Sequence, residues 1–420
     1  MDQSQISSRV SANGESYKDD TSLASATTSS SFTRQEGGRS YNILNETYFL
    51  PTDDDEFEQA AFSNHVGMSG LYPAPDIVQE LLAPREGVQQ RILDVGCGTG
   101  AWAISMAKEF PHAHVVGIDL APVPISDTLP SNVTFELDDV NKGLTHLYDT
   151  FHLVHVRFVA TGLRDFSKCK AEIERCLKPG GLAIWIDADY DMLSRDKDIY
   201  RPPAIEGSVE DGSWVARMFF ETRRIAVQLG GSSLFAVTES LSRGLWDDEL
   251  LDPNTCARAD LFLPIGPWVT DKDPVQSQRL SHIGSLMRQD FMSGYRAFHP
   301  ALQRVGIPPE TCEQWSNRAD EELNTMKDPI FVRIACAWGR RRTSLNGPAP
   351  PLPSSNADST SSRLDAAPPS SSSHSTASPV LPPYPYMEIH TTKSAALEAY
   401  ERRNRSKTFA VPPLPPGLQL

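Results

Sequence analysis

The chain has 420 residues, of which 39% are hydrophobic, and it carries a formal net charge of −15 at pH 7. An acidic chain without a basic stripe argues against a nucleic-acid-binding face, so no direct nucleic-acid binding is expected. No run approaches the ~18 apolar residues that a membrane span needs, so no membrane association is expected either.

Three regions differ in composition. Residues 1–37 are rich in Ser, Thr, Asp and Gln, and residues 343–420 are rich in Pro and Ser. Because such segments cannot bury enough apolar surface to offset chain entropy, both are predicted to be disordered tails. Residues 38–342 are long enough for one α/β domain with a cap. Within the second tail, the segment 384–389 is the clearest apolar island.

The most informative motif lies between a short apolar strand at Ile92-Leu93 and a helix predicted over 101–110. A strand, a glycine-rich turn and a helix together present backbone N–H groups to an anionic ligand group. Gly96, Gly98 and Gly100 allow the main chain to approach that ligand closely. The turn also fits the dinucleotide pattern G-x-G-x-x-A, and a purely structural turn is a third interpretation.

Asp94 precedes the first glycine by two residues. A carboxylate at this position is explained by a positively charged ligand group and not by a phosphate. S-adenosylmethionine has such groups, since it carries an ammonium and a sulfonium beside its carboxylate.

A second strand is predicted over 114–120, with Asp119 and Leu120 at its end. A carboxylate here can accept hydrogen bonds from both ribose hydroxyls of a nucleoside. NAD enzymes use the same arrangement, so Asp119 indicates a nucleoside without selecting which one. A carboxylate that caps the next turn is the other interpretation.

A third strand, 133–137, is followed by Asp138, Asp139 and Val140. Strand alternation places Asp139 in phase with the apolar residues of the strand, and Asp138 opposite. The three acidic strand ends would lie together at the carboxyl edge of a parallel sheet, where open α/β folds bind ligands.

A fourth strand at 151–156 and a helix at 168–177 lead to Lys178-Pro179-Gly180-Gly181 and a fifth strand, 182–186. The Pro and Gly residues supply the helix stop. The Leu-Lys-Pro-Gly-Gly sequence before a strand is frequent in class I methyltransferases and has no counterpart in the dehydrogenase fingerprint.

Residues 91–187 resemble the core of a class I S-adenosylmethionine-dependent methyltransferase, and the flanks resemble the fungal LaeA-like methyltransferases. The flanking segments, individually weak but in the right order, are Gly38–Tyr41, Tyr48–Asp53, His65, Asp119–Val123, Pro130–Glu136, Leu263–Trp268 and Ile330–Trp338. The resemblance implies an α/β, Rossmann-like, seven-stranded methyltransferase fold, whose mostly parallel sheet has an antiparallel last strand and a helical cap. It implies S-adenosyl-L-methionine as cofactor and a small-molecule or protein methyl acceptor.

The resemblance also aligns Asp139 and Val140 with the adenine-contacting position. The predicted cofactor-binding residues are therefore Asp94, Gly96, Cys97, Gly98, Gly100, Asp119, Leu120, Asp139 and Val140. No catalytic residue is assigned. The candidates for a general base, should the acceptor need one, are His152, His155, Asp187, Asp189, Tyr190, Asp191 and His299.

Helical spacing predicts a cap. One or two short helices are expected over 57–82, and longer ones over 213–229 and 274–298. The Met and aromatic residues of the second helix are expected to serve both the core and the acceptor pocket. The last strand, 330–338, is expected to pair antiparallel with a strand near 260–264.

The cysteines and the basic clusters indicate the cellular compartment and the kinds of partner to expect. The six cysteines have neither C-x-x-C nor zinc spacing, so no metal is expected and reduced thiols in the cytoplasm or nucleus are the simplest account. The basic clusters at 340–342 and 402–407 are interpreted as solvated surface rather than as import signals.

Several functions fit this pattern. A tailoring methyltransferase of fungal secondary metabolism and a nuclear regulator with protein partners both agree with the family resemblance. A non-catalytic scaffold and an NAD-dependent oxidoreductase are the alternatives from other classes.

Overall fold

The computed structural model describes residues 33–36, 39–42, 72–123, 129–208, 212–228, 230–343, 384–408 and 410–413. The predicted motifs at 48–53 and His65 lie outside these ranges. An antiparallel hairpin, β1 (Thr33–Glu36) and β2 (Arg39–Asn42), crosses the predicted boundary between the first tail and the domain. The prediction of a disordered tail is therefore wrong for residues 33–36, because these residues pair with β2.

The main sheet has eight strands. They are β3 (Arg91–Val95), β4 (His114–Asp119), β5 (Val133–Leu137), β6 (Phe151–Arg157), β7 (Leu177–Leu193), β8 (Ala257–Ile265), β9 (Ile330–Arg340) and β10 (Met387–His390). Their order in the sheet is β10-β8-β9-β7-β6-β3-β4-β5. Strands β3 to β7 pair in parallel, and β9, β8 and β10 add antiparallel strands at one side. The Rossmann-like, mostly parallel fold is confirmed, with one more strand than expected.

Helices cover the two faces of this sheet and form the cap. They are α1 (Pro75–Leu81), α2 (Ala101–Glu109), α3 (Phe166–Arg175), α4 (Trp214–Gln228), α5 (Leu234–Arg243), α6 (Pro274–Ala297), α7 (His299–Arg304), α8 (Pro309–Thr325) and α9 (Lys393–Asn404). Local sequence fixes several helix starts, since the Asp165 carboxylate accepts from the Lys168 N–H and the Asp273 carboxylate accepts from the Val275 N–H. Within the described residues, we found no helix of a length and apolarity that would cross a bilayer.

Strand β7 is much longer than the predicted 182–186, because it includes the Lys178–Gly181 segment before that run and continues to Leu193 after it. Gly180 has a φ of +80°, and its N–H donates to the Arg341 carbonyl at 2.9 Å. The glycine therefore forms an irregularity within the strand rather than ending it. The expected antiparallel pairing of β9 with β8 is confirmed, with Phe331 opposite Pro264 and Trp338 opposite Ala257.

The C-terminal tail is the largest difference from the prediction. Residues 384–408 form β10 and α9 on the domain instead of being disordered. Strand β10 pairs with β8, and the buried Tyr384 hydroxyl donates to the Phe262 carbonyl at 2.9 Å. The buried Arg403 guanidinium donates to Asp260 at 2.6 Å. The Pro- and Ser-rich composition of residues 343–420 as a whole predicted disorder, whereas the segment 384–408 is ordered by partners that lie far away in sequence.

Replacement of Arg403 should therefore destabilise the domain. Arg403→Met removes a buried charged hydrogen bond and should lower the free energy of unfolding by about 1.5–3 kcal/mol. The neighbouring Arg402 pairs with Asp198 at the surface, so Arg402→Met should cost less than about 1 kcal/mol. Denaturant unfolding of both variants measures the difference. Equal, small losses would mean that α9 does not contribute to the stability of the domain.

Candidate functional site

The site is built around the turn that joins β3 to α2. Gly96, Gly98 and Gly100 all have positive φ, at +70°, +54° and +73°. The N–H groups of Gly96 and Cys97 donate to the Ile118 carbonyl at 2.9 and 3.1 Å, which ties the turn to β4. Cys97 is buried, and burial raises the pKa of its thiol well above the usual value, so it is a neutral packing residue.

The three glycines have different surroundings. A Cβ on Gly96 would lie 2.5 Å from Cγ1 of Val159, and one on Gly100 would lie 2.5 Å from Cζ of Phe135. A Cβ on Gly98 would meet nothing within 4 Å among the described residues. Two of the glycines are therefore needed for packing, while the third borders open space at the carboxyl edge of the sheet.

Asp119 closes the turn from the side of β4. Its carboxylate accepts hydrogen bonds from the Gly98 N–H at 2.8 Å and the Ala121 N–H at 3.1 Å. Burial nevertheless raises its pKa. A carboxylate has about four acceptor positions, so these two bonds leave capacity for ligand hydroxyls. Leu120, which follows it, is half-buried.

Asp94 is buried at the end of β3 and contacts a histidine on the next strand. Its Oδ1 lies 2.8 Å from Nδ1 of His155, whose ring stacks on Trp102 with centroids 3.8 Å apart. Burial lowers the pKa of His155, which favours a neutral ring. Among the described residues, Oδ2 of Asp94 has no hydrogen-bond partner. A buried, unpaired carboxylate oxygen favours a positively charged or hydrogen-bond-donating group beside it.

The end of β5 lies beside the end of β4, since the Asp138 N–H donates to the Asp119 carbonyl at 3.0 Å. The buried Asp139 accepts from the backbone and side-chain N–H groups of Asn141 at 3.0 and 2.9 Å. Asp138 pairs with His146 nearer the surface. Val140 is buried and begins a one-turn 3₁₀ helix. Asp139 thus lies inside the edge and Asp138 outside it.

Most of the general-base candidates have structural partners. His152 accepts from the Arg91 N–H at the opposite, amino edge of the sheet, and His299 lies 2.7 Å from the Ser316 hydroxyl. Asp191 pairs with Arg223 and Lys407.

Two more of these carboxylates, Asp187 and Asp189, lie on β7. Asp189 pairs with Arg333 at 2.8 Å, which helps to hold its pKa well below the usual range. Asp187 accepts from the N–H groups of Ala160 and Ala188 at 3.1 and 2.9 Å, and burial raises its pKa to about 7. Its bonds fix the loop after β6 against β7.

Aromatic side chains of the cap meet β7. Tyr190 lies 6.3 Å from Phe219 between ring centroids, and Phe219 lies 4.8 Å from Phe291 and 5.8 Å from Phe298. We call these four residues the aromatic cluster. It confirms that α4 contributes its aromatic stripe to the core.

Sequence reasoning missed Phe135, Asn141 and the contact between His155 and Asp94. Phe135 carried a usable signal, because it alternates with Val133 and Leu137 on a strand beside two glycines. His155 carried none, since its partner lies on another strand. Asn141 lies two residues after Asp139, but its bonds to Gly162 and Arg164 are invisible in the sequence. The nine predicted cofactor residues do lie along one edge, at the ends of β3, β4 and β5.

Alanine substitutions should separate the roles of these glycines. Gly98→Ala should cost about 1–2 kcal/mol of stability, the cost of a left-handed backbone for a residue with a Cβ. Gly87→Ala is a matched control, since Gly87 has a φ of +72° and open space around it. Gly96→Ala and Gly100→Ala should each cost an additional 1–3 kcal/mol or so because they overpack Val159 and Phe135. Urea unfolding of the four variants would refute this if all four losses were equal.

Comparison with known proteins agrees with this geometry. A family model described as "Methyltransferase domain" matches residues 87–213. "Methyltransferase pytC" of Aspergillus terreus is 31% identical over 69% of this chain and 83% of that protein. "Secondary metabolism regulator laeA" of Coprinopsis cinerea is 28% identical over 76% of each chain.

A solved structure of a Haemonchus contortus phosphoethanolamine N-methyltransferase is 14% identical, with a TM-score of 0.35, over 73% of this chain and 62% of that one. This likeness is too distant to carry an argument. The family is identified by the two relatives and the family model. The chain belongs to the class I S-adenosylmethionine-dependent methyltransferases, in the LaeA-like group.

Proposed function

We propose that the carboxyl edge of β3, β4 and β5 holds S-adenosylmethionine across the three strand ends. The observation that carries this proposal is the order of the acids, because Asp94, Asp119 and Asp139 end three strands that are adjacent in the sheet. Asp94, Gly96, Cys97, Gly98 and Gly100 would surround the methionine portion. Asp119 and Leu120 would bind the ribose, and Asp139 and Val140 would bind the adenine.

The residues present fit the cofactor. The unpaired Oδ2 of Asp94 suits the cofactor's ammonium group, and the open space at Gly98 allows close approach to the backbone. The remaining acceptor capacity of Asp119 suits a pair of vicinal hydroxyls. A neutral His155 between Trp102 and Asp94 fixes the orientation of that carboxylate.

The bound cofactor supplies a methyl group on a positively charged sulfur, which is ready for in-line displacement. The chain's own contribution is positioning and the exclusion of water. The aromatic cluster packs the cap against β7, with Phe219, Phe291 and Phe298 buried and Tyr190 partly buried. An apolar cap at this position favours an apolar or aromatic small molecule as methyl acceptor.

We assign no general base. The histidine and aspartate candidates hold structural hydrogen bonds or ion pairs, and Tyr190 belongs to the aromatic cluster. An acceptor that is already nucleophilic needs no base, because proximity and orientation lower the barrier.

The relatives support a role in fungal secondary metabolism, since one is called a methyltransferase and another a regulator of that metabolism. We infer that this chain methylates a small-molecule intermediate of such a pathway. A nuclear regulator with protein partners is the second candidate, favoured by the match over three quarters of the regulator. Matches to methyltransferases leave no observation in favour of the oxidoreductase.

Cofactor affinity should depend on the strand-end acids. Asp119→Ala should weaken binding of S-adenosylhomocysteine by about 10- to 100-fold, as expected for hydrogen bonds to a charged group. Asp139→Ala should weaken S-adenosylmethionine and S-adenosylhomocysteine by similar factors, because both contain adenine. Asp138→Ala is the matched control and should have less effect. Calorimetric titration decides, and a larger loss for Asp138→Ala would reverse the assignment.

Deletion of the gene should separate the two candidate roles. A tailoring enzyme predicts the loss of one compound and the accumulation of its unmethylated precursor. A regulator predicts the loss of many unrelated compounds. Untargeted metabolite profiling of the deletion strain measures this, and Gly98→Ala in place of the wild-type gene tests whether the effect requires the cofactor. Loss of many compounds would overturn the tailoring role.

A further inference from the structure

The basic run at 402–407 lies in the C-terminal segment, as we call residues 384–408, and it is docked on the domain. Arg403 is buried and donates to Asp260 on β8 at 2.6 Å. Lys407 pairs with Asp191 on β7 at 2.8 Å. The interpretation of this run as solvated surface is therefore wrong for its buried arginine, and the run contributes contacts to two strands of the sheet.

Ser406 lies within this run, just after α9, and is half-buried. Its hydroxyl donates to the Arg403 carbonyl at 2.7 Å and accepts from the Tyr200 N–H at 3.1 Å. Tyr200 is itself fixed, since its buried hydroxyl donates to Asp189 at 2.6 Å and its ring lies 4.3 Å from Nζ of Lys407. One serine hydroxyl therefore joins the end of α9 to the chain that follows β7.

The sequence around Ser406 has the charge pattern of a kinase substrate. Arg402, Arg403 and Arg405 precede it by four, three and one residues. Serine kinases with an acidic substrate groove select a hydroxyl that has an arginine three residues before it. Thr408 has the same spacing from Arg405, and it is exposed. The run therefore offers two hydroxyls to such a kinase, one docked and one at the surface.

Docking hides the pattern around Ser406 from a kinase. Because Arg403 is buried against Asp260, its guanidinium becomes accessible only when the C-terminal segment leaves β8. Strand β10 has four residues and lies at the end of the sheet, so it can leave without breaking the pairing of the other strands. Local opening of such a terminal unit costs less free energy than global unfolding.

We propose that Ser406 is a phosphorylation site that becomes accessible when the C-terminal segment opens, and that its phosphate prevents this segment from docking again. The modifying enzyme is a serine kinase that binds arginine, with ATP as co-reactant. Oγ of Ser406 attacks the γ-phosphorus, the bond from that phosphorus to the β-phosphate oxygen breaks, and ADP leaves. The hydroxyl proton passes to the base of the kinase. The site is independent of the cofactor edge.

The contacts of Ser406 explain why a phosphate opposes docking. A phosphate dianion has no proton to donate to the Arg403 carbonyl, so its oxygens repel that carbonyl at the present 2.7 Å. The phosphate would also lie just beyond the end of α9, where the helix carbonyls carry partial negative charge. Arg405 and Lys407 attract it equally in the released segment, because they belong to the same run, so they give no preference for the docked state.

Phosphorylation of the full chain tests the site. The probes are ATP and the catalytic subunit of cyclic-AMP-dependent protein kinase, and mass spectrometry measures the rate at each hydroxyl. Tyr384→Ala removes a buried ring and its bond to the Phe262 carbonyl outside the run, so it should speed modification of Ser406 at least about 10-fold and leave Thr408 within about twofold.

Two further variants make the rates interpretable. Arg243→Gln removes an exposed arginine of α5 and should change neither rate. Tyr384→Phe removes only the hydroxyl, and it carries the test if thermal unfolding shows that Tyr384→Ala is not folded. Absence of Ser406 modification in both wild type and the Tyr384 variants would overturn the site, and equal rates in all of them would overturn its dependence on opening.

Hydrogen exchange of the amides of β10 tests the effect of the phosphate. In a Thr408→Ala chain, phosphorylation of Ser406 should speed this exchange about 10-fold, because a hydrogen bond is lost and an opposing charge is added. The matched control is the Ser406→Ala chain, in which phosphorylation of Thr408 should leave the exchange unchanged. Unchanged exchange after phosphorylation of Ser406, or an equal effect at Thr408, would overturn the role of the phosphate in releasing the segment.

Discussion

The close approach of the glycine turn to its three neighbouring strands is the constraint on which the site depends. The turn lies against Val159 after β6, Ile118 on β4 and Phe135 on β5. Side chains at Gly96 or Gly100 would push these strands apart, so the turn and the sheet can only form together. Asp119 then bonds to Gly98 from the end of β4. The same contacts that close the fold therefore position the cofactor edge.

A buried charge network holds the antiparallel side of the sheet. Arg333 on β9 joins Asp189 on β7 to Asp260 on β8, at 2.8 and 2.7 Å. Arg403 reaches Asp260 from α9, which brings the end of the chain into the same network. A buried charge without a partner has a large desolvation penalty, and pairing with an opposite charge offsets it. Each charged group of the network therefore fixes the position of the others. The network aligns β7, and β7 carries the residues that face the cap.

The sequence predicted the parallel half of the fold well because its signals are local. The strands β3, β4 and β5 are short apolar runs that end in acids, and the turn before α2 has an explicit glycine pattern. The C-terminal segment was mispredicted because its stability comes from partners such as Asp260, 143 residues away from Arg403. The apolar island at 384–389 was the one sign of this packing in the sequence, whereas the composition of α9 gave no such sign. Likewise, Lys178–Gly181 has the residues of a turn, yet β7 continues through it, and the Gly180 N–H donates to the carbonyl of Arg341 just after β9.

The candidate site shows the same difference between local features, which the sequence predicts, and contacts between distant residues, which it does not. Its backbone elements were predictable, whereas the partners of its side chains were not, since those partners lie across the sheet. Asp94 illustrates the difference: a carboxylate in front of a glycine turn is visible in sequence, but its fixation by His155 and Trp102 is not. That fixation determines which oxygen remains free for a ligand. A carboxylate oxygen in this position disfavours a phosphate by like-charge repulsion, and it favours a positively charged or hydrogen-bond-donating ligand group.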